Sequence, residues 1–328
     1  MVELDGQYRQ LREECGLLDR SGRGKLLVSG AEAADYLQGQ LTNDVEAIAP
    51  GEGTYAALLD RKGHMQGDMR VLRPPSSVPF GAQTTKKNSQ LSDLLLDTEP
   101  EALEVVRRHL GMYKIGREVD VVDVTAERAL LSLIGPRAVE IAGSPALPEN
   151  ACEEVTIAGA TVLAVGTATG IDLLFAAEAR EQVTAALLAA GAAEVSPEAA
   201  EILRIEAGRP RFGAEMGTKT MPAEAGIVEQ AVSFTKGCYI GQETVARLHY
   251  KGKPNRHLRG LKLSAAGAQP GDPVLLGEKE VGRLGSAGVS PAFGPIGLAI
   301  LRREAEPGAT VAVGEDGVTA EVTALPFG

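Results

Sequence analysis

Tryptophan is absent from this chain, and aromatic residues make up only 4% of it. The core must therefore be filled mainly by Leu, Val, Ile and Ala. Cysteine occurs three times, as Cys15, Cys152 and Cys238. Three widely separated thiols exclude a disulfide framework and fit a reducing compartment. No two of them have metal-ligand spacing, so a local zinc or cluster motif is also excluded. No apolar run approaches the roughly 18 residues that a membrane helix requires. The polar N-terminal stretch, Met1 to Gln10, has no apolar segment of the kind a secretory signal carries. A soluble, cytoplasmic protein with no membrane contact is expected. Excess positive charge is lacking too, for the formal net charge is −11. Any nucleic-acid contact would need a local patch.

What remains is an ordinary globular composition, 44% hydrophobic and 23% charged over 328 residues. At roughly 150 residues per domain, that length predicts two domains or a large body with an appendage. Periodicity predicts a helix over Tyr8–Leu17, a strand over Lys25–Val28, and a helix over Ala31–Leu41 capped by Ser29. Two strands, Thr54–Leu59 and Asp68–Leu72, flank a turn at Asp60–His64. Residues 74–92, rich in Pro, Ser, Thr, Lys and Asn, read as a mobile surface loop. A helix over Pro100–Leu110 follows, then strands at Val119–Val124 and Ala129–Ile134. Next come a hairpin turning at Ala158–Gly159, a strand at Gly170–Phe175 and a helix at Ala179–Ala190. Strands and helices mix without a βαβ rhythm, which predicts an α+β class. From residue 256 to 328, short alternating segments separated by Gly and Pro predict a small antiparallel β-barrel. Gly22-Arg23-Gly24-Lys25 is not a phosphate loop. Asp19 occupies the place of its first glycine, and Leu26 the place of the magnesium-binding hydroxyl.

Ser196-Pro197 opens a helix ending at Gly208, with Ala199, Ile202, Leu203 and Ile205 as its apolar positions. Glu206 follows Ile202 by four residues and Leu203 by three, so it lies on the apolar stripe. A carboxylate there needs a partner. Arg204, Arg209 or Arg211 is one candidate. A ligand with two adjacent N–H donors, such as a pterin ring, is another.

Lys236-Gly237-Cys238-Tyr239-Ile240-Gly241-Gln242-Glu243 follows an apolar segment, Ala231–Phe234, that reads as a strand. A helical pattern with Ile240, Thr244, Val245 and Leu248 on one face leads out of it. Gly241 is expected to open that helix, placing Cys238 near free helix N–H groups and Lys236, which favour a thiolate. The alternative is a small cysteine that merely packs.

The octapeptide resembles the KGCYxGQE signature of the YgfZ family, folate-binding proteins of iron–sulfur maintenance related to the glycine-cleavage T-proteins. Arg204-Ile205-Glu206-Ala207-Gly208 and Met221-Pro222-Ala223-Glu224-Ala225-Gly226 resemble the "RxEAG" and "xPxEAG" segments of both groups. The resemblance extends from about Leu18 through Leu263. It implies a folate-binding body of two interleaved α+β lobes around a central cavity, residues 1–255, closed by the barrel, residues 256–328.

It also implies tetrahydrofolate, or a one-carbon derivative, as cofactor, with Glu206 holding the pterin. Lys236, Tyr239, Gln242 and Arg247 become candidate folate contacts. Cys238 becomes a reactive thiol. Asp68 is the nearest match to the aspartate that assists aminomethyl transfer in T-proteins, while Gly67 replaces a second acid. Implied partners are folate and iron–sulfur client enzymes, including tRNA methylthiotransferases. A tetrahydrofolate-dependent aminomethyltransferase or demethylase is the alternative, and a folate sensor without chemistry is a third.

Between Glu243 and Asp272 there is no acid, but there are Arg247, Lys251, Lys253, Arg256, Arg259 and Lys262. A solvated linker explains this strip, as does an anion site for the folate tail, with Arg247 best placed, or for tRNA.

Overall fold

The computed structural model describes residues 3–75, 93–315 and 317–328. The expected loop at 74–92 lies, from residue 76 onward, outside the described residues. The chain opens with α1 (Leu4–Glu13), β1 (Gly16–Asp19), β2 (Gly24–Ser29) and α2 (Ala33–Gln40). It continues through β3 (Glu52–Leu59), β4 (Met65–Arg73), β5 (Leu94–Thr98), α3 (Pro100–Tyr113) and β6 (Asp120–Asp123). Then come β7 (Arg128–Ile134), α4 (Ala138–Ala142), β8 (Cys152–Ile157), β9 (Ala160–Thr167), β10 (Gly170–Ala176), α5 (Arg180–Ala189) and β11 (Ala193–Glu194). Next are α6 (Pro197–Glu206), α7 (Pro222–Ala225), α8 (Val228–Ala231) and α9 (Gln242–Lys251). The strands β12 (Arg256–Leu263), β13 (Pro273–Leu276), β14 (Lys279–Ser290), β15 (Gly294–Arg302), β16 (Thr310–Val313) and β17 (Val318–Thr323) follow.

Among the described residues these strands form three sheets. One runs β11-β1-β7-β10-β9-β8, a second β3-β4-β5-β2-β6, and β12–β17 close into a barrel. β1 belongs to the first sheet, yet the next five strands build the second before the chain returns. The two lobes are thus interleaved, and the class is α+β.

The two open sheets pack face to face. Leu27, Leu72 and Leu95 of one meet Leu130, Leu163 and Leu174 of the other in a shared core. On their outer faces lie helices. α2 and α3 cover the second sheet through Tyr36, Leu37, Val106 and Leu110, and α4 and α5 cover the first through Ile141, Val183 and Leu187. Each sheet is therefore buried on both sides, which explains why β2, β5, β7 and β10 read as nearly continuous apolar runs. α6 joins α1 on one side, and its Ile205 meets Ile296, Leu298 and Phe327 of the barrel side on the other.

Three expectations change. The first helix spans Leu4–Glu13, and Leu17 is in a strand. A Cβ on Gly16 would stand 2.4 Å from Leu11 Cδ2, so the chain turns back there closely. Ser29 ends β2 and does not cap α2, whose N-cap is Glu32, without a side-chain hydrogen bond. Ala231–Phe234, expected as a strand, is not one: Ala231 closes α8, its N donating to Ile227 O at 2.8 Å, and residues 232–234 are in neither helix nor strand. A four-residue apolar run does not separate strand from helix by periodicity.

Candidate functional site

The gap between the two sheets is apolar along one row and charged along the next. Lys25 pairs in register with Asp97, Asp97 with Arg70, and Arg70 with Tyr55. Side chains in register share a face, so these four stand beside the Leu27–Leu95–Leu72 row. Across the gap the first sheet presents Asp172 and its register partner Ser132. Ser132 Oγ donates to Asp172 Oδ1 at 2.6 Å.

Burying that many charges requires mutual pairing. Arg70 spans the gap, with Nε on Asp97 Oδ2 at 2.6 Å and Nη1 on Asp172 Oδ2 at 2.7 Å. Arg23 Nε donates to Asp97 Oδ1 at 2.8 Å, and Arg23 also pairs with Glu99. Burial would raise the Asp97 carboxyl, but Arg23 and Arg70 outweigh it and hold the pKa at about 2. Lys25 is fully buried and donates to the carbonyls of Ser21 and Arg23 at 2.8 and 2.9 Å.

Asp68 lies on β4 two residues before Arg70, on the same face. Tyr55 Oη donates to its Oδ2 at 2.6 Å, while Oδ1 is buried and has no partner among the described residues. Burial pushes its pKa up to about 6, opposed by the Tyr55 hydrogen bond and by Arg23 and reinforced by Glu99. A half-satisfied carboxylate poised near neutrality can hold an amine N–H or take up a proton. The loop after α6 approaches from one side. Arg209 grips Glu149 at 2.7 and 3.1 Å and lies within electrostatic reach of Tyr55.

Glu206 faces inward at the end of α6, 5% exposed. Its partners are neither Arg204, Arg209 nor Arg211. Tyr8 Oη donates to Oε2 at 3.2 Å, and Ser290 Oγ to Oε1 at 2.5 Å. Arg204 turns instead to Glu201, Glu215 and Ser286. Each oxygen of Glu206 keeps acceptor capacity beyond one hydroxyl. A cavity of about 760 Å³ opens beside Ser21, Gly22, Thr125 and Arg180, and neither Glu206 nor Asp68 lines it.

The octapeptide docks on the β3–β4 turn. Gly241, φ +85°, is the N-cap of α9, as its position suggests, and a Cβ there would stand 2.5 Å from Asp60 O. Lys236, a candidate folate contact, is engaged within the chain. Its Nζ donates to the carbonyls of Gln38, Leu41 and Asn43 at 2.5, 2.7 and 2.9 Å. An ammonium has three protons, and these carbonyls at the end of α2 take all of them. Burial draws its pKa down to about 8. Its protons are thus committed within the chain, while Cys238 is exposed. Tyr239 is buried, its hydroxyl has no partner among the described residues, and burial raises its pKa to about 12. Gln242 is half-buried and Arg247 exposed on α9. The basic strip divides: Arg256 is locked bidentate to Glu224 at 2.8 Å twice, Arg259 is half-buried, and Arg247, Lys251 and Lys253 remain exposed.

Residues 3–236 match the GCVT N-terminal domain, and residues 256–327 match the glycine cleavage T-protein C-terminal barrel domain. The chain belongs to the glycine cleavage T-protein family. Among curated T-protein relatives, an aminomethyltransferase of Rubrobacter xylanophilus is 30% identical over 337 residues, covering 99% of this chain and 86% of the relative. A putative chloroplastic transferase of Arabidopsis thaliana is 30% identical, covering 94% of this chain and 71% of its own length. The crystal structure of aminomethyltransferase T from Bartonella henselae superposes with a TM-score of 0.84 at 21% identity, over 100% of this chain and 90% of that one. At that identity the likeness establishes the T-protein fold.

The sequence reading singled out Asp68 and Glu206 as candidates but not Tyr55 or the Arg23–Asp97–Arg70–Asp172 network. The signal was present. Asp97 interrupts a leucine strand, and Lys25 and Arg70 each stand among apolar neighbours in strands buried on both faces.

Proposed function

We propose that this T-protein relative is a tetrahydrofolate-dependent aminomethyl or one-carbon transferase whose proton-handling group is Asp68. The observation that carries this is the Asp68 carboxylate, with one oxygen fixed by Tyr55 and the other buried and open. That orphaned acceptor fits an amine-bearing ligand. Glu206 fits the pterin amide edge through the acceptor capacity its two hydroxyl partners leave. Tetrahydrofolate supplies the amine nitrogens that accept a one-carbon unit. Tyr55 fixes the Asp68 carboxylate, and Asp68 Oδ1 holds or receives the amine proton. The ion-paired network behind it keeps both in place. The experiment is transfer from an aminomethylated lipoyl carrier to tetrahydrofolate, followed as methylene-tetrahydrofolate. Asp68→Asn should abolish turnover while tetrahydrofolate still binds. Full turnover in the variant would refute the assignment.

A second reading, support of iron–sulfur enzymes in the YgfZ manner, is favoured by Cys238. It is exposed in the KGCYIGQE loop, whereas Cys15 and Cys152 are buried. Aminomethyl transfer needs no such thiol. Loss of client iron–sulfur activity, such as that of a tRNA methylthiotransferase, on Cys238→Ala, with transfer intact, would establish it. Retention of client activity would remove it.

A further inference from the structure

Three arginines reach the charged seam, and they are not equivalent. Arg23 and Arg70 are each in ion-pair contact with Asp97, and each makes a second pair, with Glu99 and Asp172 respectively. Arg20, at the β1–β2 turn, makes none. Its backbone N donates to Leu130 O at 2.8 Å. Its side chain is half-buried, and among the described residues no hydrogen bond or ion pair is formed by its guanidinium. The acids that act on it, Asp172 and Glu99, are already taken, Asp172 by Arg70 and Ser132 and Glu99 by Arg23. The electrostatics follow this division. Arg23 and Arg70 are pushed up by their carboxylates, whereas burial draws Arg20 down because no contacting acid offsets it.

Two incomplete groups therefore face the same network. Arg20 has five N–H donors and no acceptor; Asp68 Oδ1 is a buried acceptor with no donor. The Arg20 N–Leu130 O bond extends the β1–β7 register one step beyond Asp19–Leu131, so Arg20 is on the face that Leu130, Ser132 and Asp172 turn to the gap, across from the sheet that carries Asp68. A guanidinium held half-desolvated beside acids that are all engaged is matched by an incoming carboxylate, which accepts from it bidentately.

We propose that Arg20 is a carboxylate-binding residue of the Asp68 site, taking the anionic end of a ligand whose amine end meets Asp68. This rests on the Asp68 assignment made above. The carboxylate has two chemical sources, a small zwitterionic amine that donates the transferred carbon, or the glutamate end of the folate.

Titration calorimetry on the full chain separates them with two ligand pairs. N-methylglycine is compared with its neutral amide, and tetrahydrofolate with tetrahydropteroate, which lacks the glutamate. The unmodified protein should bind the carboxylate member of one pair about tenfold or more tightly, the scale of a charge-assisted hydrogen bond. Arg20→Gln should erase that preference and leave affinity for the neutral member unchanged. The pair that responds names the source. If Arg20→Gln does not fold, Arg20→Lys reads the same quantity, because a point charge replaces the planar fork and should reduce the preference. Absence of preference in the unmodified protein for both pairs, or a preference that survives substitution, would overturn the proposal. Tetrahydrofolate affinity of the unmodified protein is measured alongside. Its absence would count against the folate reading, while the N-methylglycine pair would still test Arg20.

Discussion

Arg70 and Asp172 are joined at 2.7 Å across the gap between two sheets whose strands are interleaved in the chain. The same guanidinium holds Asp97 at 2.6 Å. One side chain thus couples the two lobes at the place where their shared core changes from leucine to charge. Arg70→Met should cost about 3–5 kcal/mol, since it takes one of two guanidinium partners from buried Asp97 and leaves Asp172 with Ser132 alone. Asp172→Asn should cost less, because Ser132 retains a partner. Guanidinium denaturation measures both. The sign with pH follows from Asp97, held at about 2, against an unfolded value of about 3.9. Its contribution is complete above pH 4 and is lost as pH falls toward 2. Arg70→Met should flatten that acid limb.

Asp68 behaves oppositely. Its pKa is raised from 3.8 to about 6, chiefly by burial. The folded protein therefore binds a proton more readily than the unfolded chain between those values, and ionisation above pH 6 destabilises the fold. That gap corresponds to a penalty on the order of 3 kcal/mol at pH 8. Asp68→Asn should be more stable than the parent at pH 8 by up to that amount and equal to it near pH 4. If Asp68 acts as a base in transfer, kcat of the parent should rise through pH 6.

The sequence carries the fold class well because each sheet's apolar runs, each glycine break and the Pro-opened helices α3 and α6 are local signals. The interleaving is not local. It follows from β1 pairing with β7, more than one hundred residues on, in Gly16–Ile134 register, and nothing near Gly16 encodes that. The site divides in the same way. The inward face of Glu206 follows from helix spacing alone. Its partners come from α1 and β14, so the choice between arginine and hydroxyl was invisible. Lys236 was a candidate folate contact only through the T-protein resemblance, and its reach to the carbonyls at the end of α2 is a tertiary contact that nothing in its own loop encodes.

Lys236→Met should therefore act on stability. It leaves three carbonyls at the end of α2 without their donor. A loss of about 2–3 kcal/mol is expected in denaturant titrations. The tetrahydrofolate affinity of the remaining folded protein should stay within twofold. A selective collapse of affinity, with stability intact, would return Lys236 to the ligand site.

Glu206 carries both a structural and a ligand role, and two substitutions separate them. Ser290→Ala removes one hydroxyl from the carboxylate and should cost about 1 kcal/mol of stability with little effect on folate affinity. Glu206→Ala leaves Tyr8 and Ser290 without their acceptor. It should lower stability by about 2 kcal/mol and weaken tetrahydrofolate binding by a similar amount. If only stability falls, Glu206 is a clamp between α1, α6 and β14, and the pterin must be held elsewhere.

Cys238 offers the simplest chemical readout. Cys15 and Cys152 are buried, and burial pushes their thiols up to about 11 and about 12. The thiolate is the reactive form, so neither should react in the folded protein near neutral pH. Cys238 is exposed in a loop between Lys236 and the start of α9. Thiol titration of the native chain at pH 7.5 should give one equivalent promptly, and three in denaturant. Cys238→Ala should remove the prompt equivalent and leave stability within about 0.5 kcal/mol, as for a surface residue without partners. A prompt reaction that survives in the variant would mean that a buried thiol opens to solvent, most simply at Cys152, whose Sγ lies 3.7 Å from Arg73 O. In that case the exposure of Cys238 would no longer set it apart as the thiol presented to partners.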